Sequence, residues 1–468
     1  MENKEYQIEE LAEMLDNGTI TSRELVDFYL KRIALYDGHL NSLADLNNQA
    51  YAWADALDLE RKHKKVRSLL HGIPIVVKDN ILTKGSMRTT INSYAFSNFY
   101  APYDAYIIQK LKAAGAIILA KANLSEFAYF MSMGNMPSGY GSMHGQVKHP
   151  YNIKIDPLGS STGSAVSVAA NLVTASIGTE TNGSLMSPAQ QNSVVSIKPT
   201  VGLVSRHGIV PISFLQDTAG PMTRTVKDAA IMLQAIKGRD EEDVATYSIP
   251  NESIDYLKAC TKSPNGLRVG IIDFENYKMG EEELEIINEA KEKLKDLGVT
   301  FVDIPYKYDL PNNLVDLTHH FKHDLNAFLG SLKGFAPVDS LLELIRFNNQ
   351  HRKRTLKYGQ VHFLQSEATS GTLKEKEYLD HLASSNDSIK KYTNLFDEYK
   401  VDVMMSTKIT GYPAVGGMPV MAVPAKELKD LEPKSMIFVA KKWQEETLFT
   451  IAQAYEQATL HRIAPTLV

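Results

Sequence analysis

Residues 156–184 read DPLGSSTGSAVSVAANLVTASIGTETNGS, and they determine how the rest of the chain is interpreted. Two turns rich in hydroxyl side chains lie in this stretch, at 157–165 and 178–184. Between them, the Ala/Val-rich segment from Ala165 to Ala170 predicts about two turns of helix. The apolar segment from Val173 to Ile177 predicts a buried strand. A helix–strand unit of this size returns the second turn to the side of the first.

The unit is therefore expected to bring Ser160 and Ser184 face to face. A serine hydroxyl is a poor nucleophile until a base removes its proton. Upstream, residues 71–80 read HGIPIVVKDN and place Lys78 at the end of an apolar run. Because apolar surroundings disfavour the charged ammonium group, a lysine buried there can be a neutral amine. Lys78 is the candidate base.

Five blocks of sequence occur in a fixed order around these three residues: Gly72–Asn80, Gly159–Ala165, Gly178–Ser184, Ile197–Leu203 and Asp217–Met222. Together they resemble the amidase signature family, which uses a Ser–cis-Ser–Lys triad. The likeness is densest from Gly72 to Leu233 and faint between about 251 and 399. The amino-acid sequence of the blocks is most similar to that of the peptide-amidase branch.

The resemblance implies a mechanism for hydrolysing an amide. Neutral Lys78 accepts a proton from Ser160, Ser160 accepts one from Ser184, and the Ser184 oxygen attacks the carbonyl carbon. Ammonia or an amine departs, and water hydrolyses the ester left on Ser184. In the family the peptide bond that enters the first serine is cis, and Gly159 is the small residue that permits it here. No cofactor and no metal is expected.

A tetrahedral intermediate carries a negative oxygen that needs hydrogen-bond donors. By the resemblance these donors are the backbone N–H groups of residues 181–184. Pro188 suits the first turn of a helix whose N-terminus points at the same oxygen. The expected oxyanion- and substrate-binding residues are Ser161, Thr181, Asn182 and Gly183.

The chain departs from the commonest family pattern at five positions. Glycine is usual at Leu158 and Thr162, aspartate at Glu180, glycine or aspartate at Asn182, and arginine at Met186. None of these changes removes a proton carrier. The missing arginine argues against the glutaminase component of glutamyl-tRNA amidotransferase, which works with partner subunits.

Two alternatives stay open beside the hydrolase. One is a glutaminase or amidotransferase A-type subunit of a complex. The other is a degenerate, non-catalytic homologue, suggested by the departures at Leu158, Asn182 and Met186. The expected substrate of the hydrolase is a small-molecule or peptide amide.

The composition excludes several classes of partner. A net charge of −5 over 468 residues gives no basic surface for nucleic acid. The N-terminus is acidic and polar where a secretory signal would be basic and then apolar, and no apolar run approaches the roughly 18 residues of a membrane span. The single cysteine, Cys260, excludes an internal disulfide framework. We expect a cytoplasmic protein without a membrane segment, either a monomer or a homodimer.

The order of predicted elements favours an α/β fold, an α/β/α sandwich with a large mixed central sheet covered by helices on both faces. We expect a single domain over 1–468, with N-terminal helices at 1–67, a catalytic core at 72–235 and a helical, substrate-facing segment at 311–399. A capping box at Thr21–Glu24 predicts a helix start. Further helices are predicted at 107–114, 281–297 and 447–460, and strands at 117–120, 194–197, 267–272, 299–304 and 420–423.

Histidines suggest two alternative sites, a Ser–His catalytic pair and a metal site, and the sequence favours neither. His207 follows Ser184 in a loop, but the family needs no histidine. Three histidines at helical spacing suit a metal ion, yet no Glu or Cys joins them, and a solvated helix face is the favoured interpretation. They are His319, His320 and His323.

Overall fold

The structure is a computed structural model that describes residues 2, 4–276, 278–426 and 432–467. The strands are β1 (Leu43–Leu46), β2 (Pro74–Lys78), β3 (Ile117–Ala122), β4 (Tyr140–Gly141), β5 (Gly145–Gln146), β6 (Ala175–Glu180), β7 (Val195–Lys198), β8 (Thr218–Thr223), β9 (Arg268–Phe274), β10 (Thr300–Tyr306), β11 (Val403–Ser406), β12 (Val420–Pro424) and β13 (Ser435–Val439). The helices are α1 (Ile8–Asp16), α2 (Ser22–Leu40), α3 (Ala50–Lys62), α4 (Tyr106–Ala113), α5 (Thr162–Ala169), α6 (Met186–Gln191), α7 (Val226–Ile236), α8 (Tyr256–Ala259), α9 (Glu281–Lys295), α10 (Leu314–Ser331), α11 (Leu341–Gln350), α12 (Arg352–Thr355), α13 (Val361–Ala368), α14 (Lys376–Glu398), α15 (Tyr412–Val415) and α16 (Glu445–Thr459).

Eleven strands form one mixed sheet in the order β1-β3-β2-β6-β8-β7-β12-β13-β11-β9-β10. The pairs β3–β2, β2–β6, β11–β9 and β9–β10 are parallel, and the other neighbours are antiparallel. Every residue of β2, β3, β6, β7 and β8 is buried. Because successive side chains point to opposite faces of a sheet, burial of every residue means that both faces are covered. The predicted α/β fold with a large mixed sheet is confirmed.

Most predicted elements occur within a few residues of their expected positions. The capping box is present at the start of α2, where Glu24 N–H donates to Thr21 Oγ1 (3.1 Å) and Thr21 N–H donates to the Glu24 carboxylate (2.8 Å). The strand–helix–strand unit β9-α9-β10 and the final pair β12 and α16 also match. The single domain over 1–468, with its internal division, stays a prediction.

Two boundaries in the stretch 156–184 were predicted wrongly. Helix α5 begins at Thr162, so the second half of the first turn is helical. Strand β6 runs on to Glu180, so the second turn begins only at residue 181. Glycine at 163 and 178 suggested loops, but both glycines lie where a side chain would collide with neighbouring atoms. Close packing, not flexibility, accounts for them.

Strand β8 was not predicted because its sequence, TAGPMT, contains glycine and proline. A Cβ atom on Gly220 would lie 2.1 Å from the Ile197 carbonyl oxygen, so the glycine allows β7 to approach closely. Strands β1, β11 and β13 were also missed, since short apolar runs do not distinguish a strand from a buried loop.

The interpretation of the three histidines on α10 as a solvated face was wrong for two of them, while His323 is exposed as predicted. His319 and His320 are buried. The His320 ring lies 2.8 Å from Ser213 Oγ and 2.9 Å from the Tyr378 hydroxyl, which makes it a packed link between α10, a loop and α14. Within the described ranges, no group of three His, Cys, Asp or Glu side chains is arranged to hold a metal ion. No helix in the same ranges is both long and apolar enough to cross a membrane.

The first turn of α5 is pressed against the backbone just before β1 and just beyond β3. Gly163 N–H donates to the Asn123 carbonyl oxygen (2.8 Å) just beyond β3. A Cβ atom on Gly163 would lie 2.2 Å from the Ser42 carbonyl oxygen and 2.4 Å from that of Asn123. Both contacts are with backbone, which cannot move aside as a side chain can. Glycine at this position therefore fixes the depth at which α5 sits.

Gly163→Ala should destabilise the protein by about 2 kcal/mol or more, because overpacking against backbone forces α5 away from the sheet. Gly38→Ala is the matched control: Gly38 lies in α2 with nothing within 4 Å of its Cβ position, so the helix should gain up to about 1 kcal/mol. Thermal unfolding of both variants checks the prediction. Equal melting temperatures for the two would contradict it.

Candidate active site

Lys78 is the last residue of β2, and its side chain is fully buried. Its Nζ atom lies 2.8 Å from Ser160 Oγ and 2.9 Å from Ser161 Oγ. The other neighbours of Nζ belong to Thr179 on β6, whose carbonyl oxygen lies at 3.1 Å and whose Oγ1 lies at 2.9 Å. The amine is thus enclosed by four oxygen atoms, none of which carries a full charge. Such surroundings solvate an amine without stabilising an ammonium ion as a carboxylate would.

Burial lowers the pKa of Lys78 from 10.5 to about 7, and the negative charges of Glu180 and Asp217 oppose that fall. One pKa unit corresponds to about 1.4 kcal/mol, so the depression is a large effect. Above pH 7 most molecules hold a neutral amine, which can accept a proton. The predicted burial of Lys78 is confirmed.

The hydrogen bonds around the amine leave its lone pair for one partner. The Ser161 hydroxyl donates its single proton to the Thr179 carbonyl oxygen (2.9 Å), so towards Lys78 it can only accept. The Thr179 carbonyl likewise only accepts. A neutral amine has two N–H groups and one lone pair. When the two N–H groups bind these acceptors, the lone pair remains for a hydroxyl proton, that of Ser160 or that of Thr179, whose Oγ1 also accepts the Asn80 side-chain N–H (3.0 Å).

A cis peptide bond joins Gly159 to Ser160, at the position the sequence predicted. The Ser160 carbonyl oxygen accepts the Ser125 N–H (3.2 Å). A Cβ atom on Gly159 would lie 2.6 Å from Ser125 Oγ and 2.7 Å from Thr162 Oγ1. Glycine is therefore the residue that this turn can hold.

The structure shows how leucine is accommodated at position 158, where glycine is usual in the family. Its φ angle is +53°, in the left-handed region that glycine adopts most easily. The Asp156 carboxylate holds this turn, since it accepts the Leu158 N–H at 2.8 Å and the Ser138 N–H at 3.1 Å. A side-chain oxygen that accepts the N–H two residues on is the usual Asx turn. Asp156 thus stabilises a conformation that leucine alone would disfavour.

Ser184 lies two residues before α6 and is partly exposed. Its carbonyl oxygen accepts the Ser161 N–H (3.2 Å), which joins the two turns. Ser184 and Gly159 both line a cavity of about 670 Å³. The structure therefore brings the second serine beside the turn that contains Ser160, with open space in front of it.

The turn before Ser184 is held at both ends. The Glu180 carboxylate accepts the N–H groups of Leu185 (2.7 Å) and Met186 (3.1 Å) and so caps α6. Aspartate is usual here in the family, and glutamate makes the same type of cap. Thr181 Oγ1 donates to Asp217, whose pKa is raised by burial to about 6.

The remaining residues predicted around the oxyanion differ from one another in burial and in the groups they contact. Ser161 is fully buried, and its hydroxyl serves Lys78 and β6, not the cavity. Asn182 is exposed, and its side-chain amide donates to Asn313 Oδ1 (3.1 Å) on the far wall of the cavity. Gly183 has a φ angle of +79°, which glycine tolerates. Pro188 lies in the first turn of α6, as predicted.

Several residues at the site carried no signal in the sequence. Thr179 was predicted only as part of a turn, although it supplies two of the four oxygen atoms around Lys78. Tyr308 and Asn313 line the cavity from distant parts of the chain. The segment 311–399, expected to face the substrate, contributes its first residues to the cavity wall. His207 does not line this cavity, and its ring stacks on that of Tyr103 at 5.2 Å.

Comparison with known proteins agrees with this geometry. Residues 24–414 match the amidase family. A probable amidase of Arabidopsis thaliana is 37% identical over 99% of this chain and 92% of its own length. The chain belongs to the amidase family. It is accordingly an amide hydrolase, an enzyme that acts on carbon–nitrogen bonds of linear amides.

Two further relatives are similar over their whole length. The crystal structure of a peptide amidase from Stenotrophomonas maltophilia has a TM-score of 0.90 and 35% identity, with 99% of each chain covered. The A-type subunit of glutamyl-tRNA(Gln) amidotransferase from Bacillus velezensis is 33% identical, with 98% of each chain covered. Hydrolases and amidotransferase subunits thus both occur among the relatives of this chain.

Glu180→Gln should move the acid limb of the kcat/KM profile to lower pH by about one unit. The Glu180 charge raises the pKa of Lys78 against the larger lowering effect of burial, so its loss lowers that pKa further. Glutamine retains an oxygen that can cap α6.

The control is Glu292→Gln, the same change at an exposed position on α9, which should leave the limb in place. Hydrolysis rates between pH 5 and 9 distinguish the outcomes. An unmoved limb in Glu180→Gln, or a limb moved to higher pH, would count against Lys78 as the titrating group.

Proposed function

We propose that this amidase works through a proton relay from Ser184 to Ser160 to Lys78 and forms an acyl-enzyme on Ser184. The observation that carries the proposal is the 2.8 Å contact between the buried amine of Lys78 and Ser160 Oγ. A pKa of about 7 makes that amine a base near neutral pH. The joined turns and the shared cavity support Ser184 as the nucleophile.

The relay conserves protons through both halves of the reaction. Lys78 takes the proton of Ser160 as Ser160 takes that of Ser184, and the Ser184 oxygen forms a bond to the amide carbon. The carbon–nitrogen bond then breaks as Ser160 returns a proton to the leaving nitrogen and recovers one from Lys78. Water attacks the ester along the same relay, and the acid and free Ser184 are regenerated.

The turn before the nucleophile supplies the proposed oxyanion hole. Among the described residues, the backbone N–H groups of Asn182, Gly183 and Ser184 have no hydrogen-bond acceptor. Donors left free in a turn that Glu180 holds at the start of α6 are suited to a developing negative oxygen. Loss of one such donor typically raises the barrier by about 3 kcal/mol. The Thr181 N–H, predicted with them from the family pattern, completes the proposed set.

The cavity wall indicates which amides this enzyme accepts. Of the described residues that line it, only Asp156 is charged, and no lysine or arginine is among them. A substrate carboxylate would lose its hydration there without gaining a cationic partner. Free glutamine carries such a carboxylate next to its ammonium group. We therefore propose that the substrates are small-molecule or peptide amides without a carboxylate close to the scissile bond.

An amidotransferase subunit is the second candidate, on the similarity to the Bacillus velezensis protein. Met186, which occupies the position of the usual arginine, is buried beside apolar residues. It gives the cavity no positive charge. The departures at Leu158 and Asn182 also leave the relay intact, because the first is held by Asp156 and the second contacts Asn313. The hydrolase is the function that these contacts support best.

Activity of the purified chain on acetyl-phenylalanine amide and on glutamine tests the proposal. We expect ammonia release from the first and at least about tenfold lower kcat/KM for the second, since an unpaired carboxylate costs about 1.4 kcal/mol or more. Preferential hydrolysis of glutamine would favour the amidotransferase subunit.

A fluorophosphonate probe tests the nucleophile. Wild-type protein should be labelled, and Ser184→Ala should lose both the label and at least about a thousandfold in kcat. Ser187→Ala is the matched control, because Ser187 lines the same cavity three residues later and should remain labelled by the probe. Labelling that survives in Ser184→Ala would place the nucleophile elsewhere.

A further inference from the structure

Asp156 is the only charged side chain among the described residues that line the cavity in front of Ser184. The rest of the wall is uncharged: apolar residues, hydroxyl groups, asparagine amides and aromatic rings. In a cavity of this kind a single carboxylate determines the sign of the local potential, because no opposite charge neutralises it. A negative potential favours a positively charged ligand.

The Asp156 carboxylate is held in a fixed position. One of its oxygen atoms accepts the Leu158 N–H and the other accepts the Ser138 N–H. Each carboxylate oxygen has a second lone pair, so both can still bind a ligand. The side chain is exposed to the cavity, and no lysine, arginine or histidine in the described part of the chain forms an ion pair with it.

The carboxylate lies within reach of a substrate bound at Ser184. Asp156 precedes Ser160 by only four positions, so their Cα atoms are at most about 14 Å apart. The Asx turn and the left-handed Leu158 shorten that path. Asp156 and Ser184 line the same cavity, so a cationic group on the acyl portion of a substrate can approach Asp156 while the carbonyl lies at Ser184.

Aromatic rings in the same wall add to this preference. Tyr129, Phe130 and Tyr308 line the cavity together with Asp156. The face of an aromatic ring attracts an ammonium or guanidinium group. Among the described lining residues, a cation thus finds one full negative charge beside aromatic side chains and no positive charge.

We propose that Asp156 binds a cationic group on the acyl portion of the substrate, so that the preferred substrates are amides bearing an ammonium or guanidinium group. This inference rests on the proposed hydrolase function. When ammonia is the leaving group, the acyl portion is the only part of the substrate that can extend to Asp156. Asp156 is then the residue that sets specificity for charge, in addition to holding the turn before Ser160.

A matched pair of substrates tests the proposal: acetyl-lysine amide and acetyl-norleucine amide, which differ only by the terminal ammonium group. Wild-type enzyme should hydrolyse the lysine compound with a kcat/KM about 2- to 5-fold higher, the range of an exposed ion pair. In Asp156→Asn this ratio should fall close to one. Asp296→Asn, the same change at an exposed position beyond α9, should keep the wild-type ratio.

The ratio of kcat/KM for the two compounds distinguishes two roles of Asp156: binding the substrate's charge and holding the turn before Ser160. If Asp156 only held the turn, Asp156→Asn would lower kcat/KM for both compounds equally, and the ratio would not move; that result overturns the proposal. A wild-type ratio of one or less also overturns the proposal for Asp156. If the enzyme still hydrolyses the neutral compound in that case, the result does not contradict the Lys78–Ser160–Ser184 relay. Failure to hydrolyse either compound would contradict the proposed substrate class and this inference together.

A measurement on the wild-type enzyme covers the case in which Asp156→Asn does not fold. Raising the KCl concentration from about 0.02 to about 0.5 M screens an exposed ion pair, so the ratio for the two compounds should fall towards one. A ratio that is independent of salt would contradict recognition by a carboxylate.

Discussion

The burial of one amine is the constraint on which this structure depends. Lys78 lies at the end of β2, the third strand from one edge of an eleven-stranded sheet, and it is buried where water cannot solvate an ammonium ion. Desolvation disfavours the charged form, and the four surrounding oxygen atoms belong to hydroxyl and carbonyl groups that do not restore a charge. Two of these oxygen atoms can only accept from the amine, so its lone pair is left for a hydroxyl proton. A side chain that is ordinarily a cation becomes a base.

The fold maintains that burial through packing on each side of the amine. Parallel pairing of β2 with β3 and β6 brings Thr179 beside Lys78. Gly163 lets α5 pack against the backbone just beyond β3, and this packing places Ser160 and Ser161 on the other side of the amine. Glu180 then caps α6 and holds the turn that carries the second serine. Glycine and glutamate thus act at a distance from the chemistry by setting the geometry of the groups that perform it.

Much of the site could be predicted from the sequence because its parts are local. A lysine at the end of an apolar run can be recognised in the sequence alone. The same is true of two serine-rich turns that lie close together along the chain. The boundaries of α5 and β6 could not be predicted, since glycine marks both flexible turns and close contacts. Strand β8 shows the same limit: Gly220 suggests a break in the sequence but permits close approach to Ile197 in the sheet.

The walls of the cavity depend on tertiary contacts and were beyond the sequence. Tyr308 and Asn313 reach the site from the segment where the family resemblance is faintest. Asp156 gave no signal because aspartate before proline is common in turns, and its role follows only from the lack of other charge in the described cavity wall. His320 shows the opposite error, since a polar pattern suggested solvent and the ring is buried between Ser213 and Tyr378.

The protonation of Lys78 itself is the most direct test of the central claim. Protein labelled with ¹³C at lysine Cε, compared with Lys78→Met to assign the signal, would report the titration of this one amine by NMR. The buried amine should titrate with a midpoint of about 7. A midpoint near the ordinary lysine value of 10.5 would leave the amine charged at neutral pH and would contradict its role as the base.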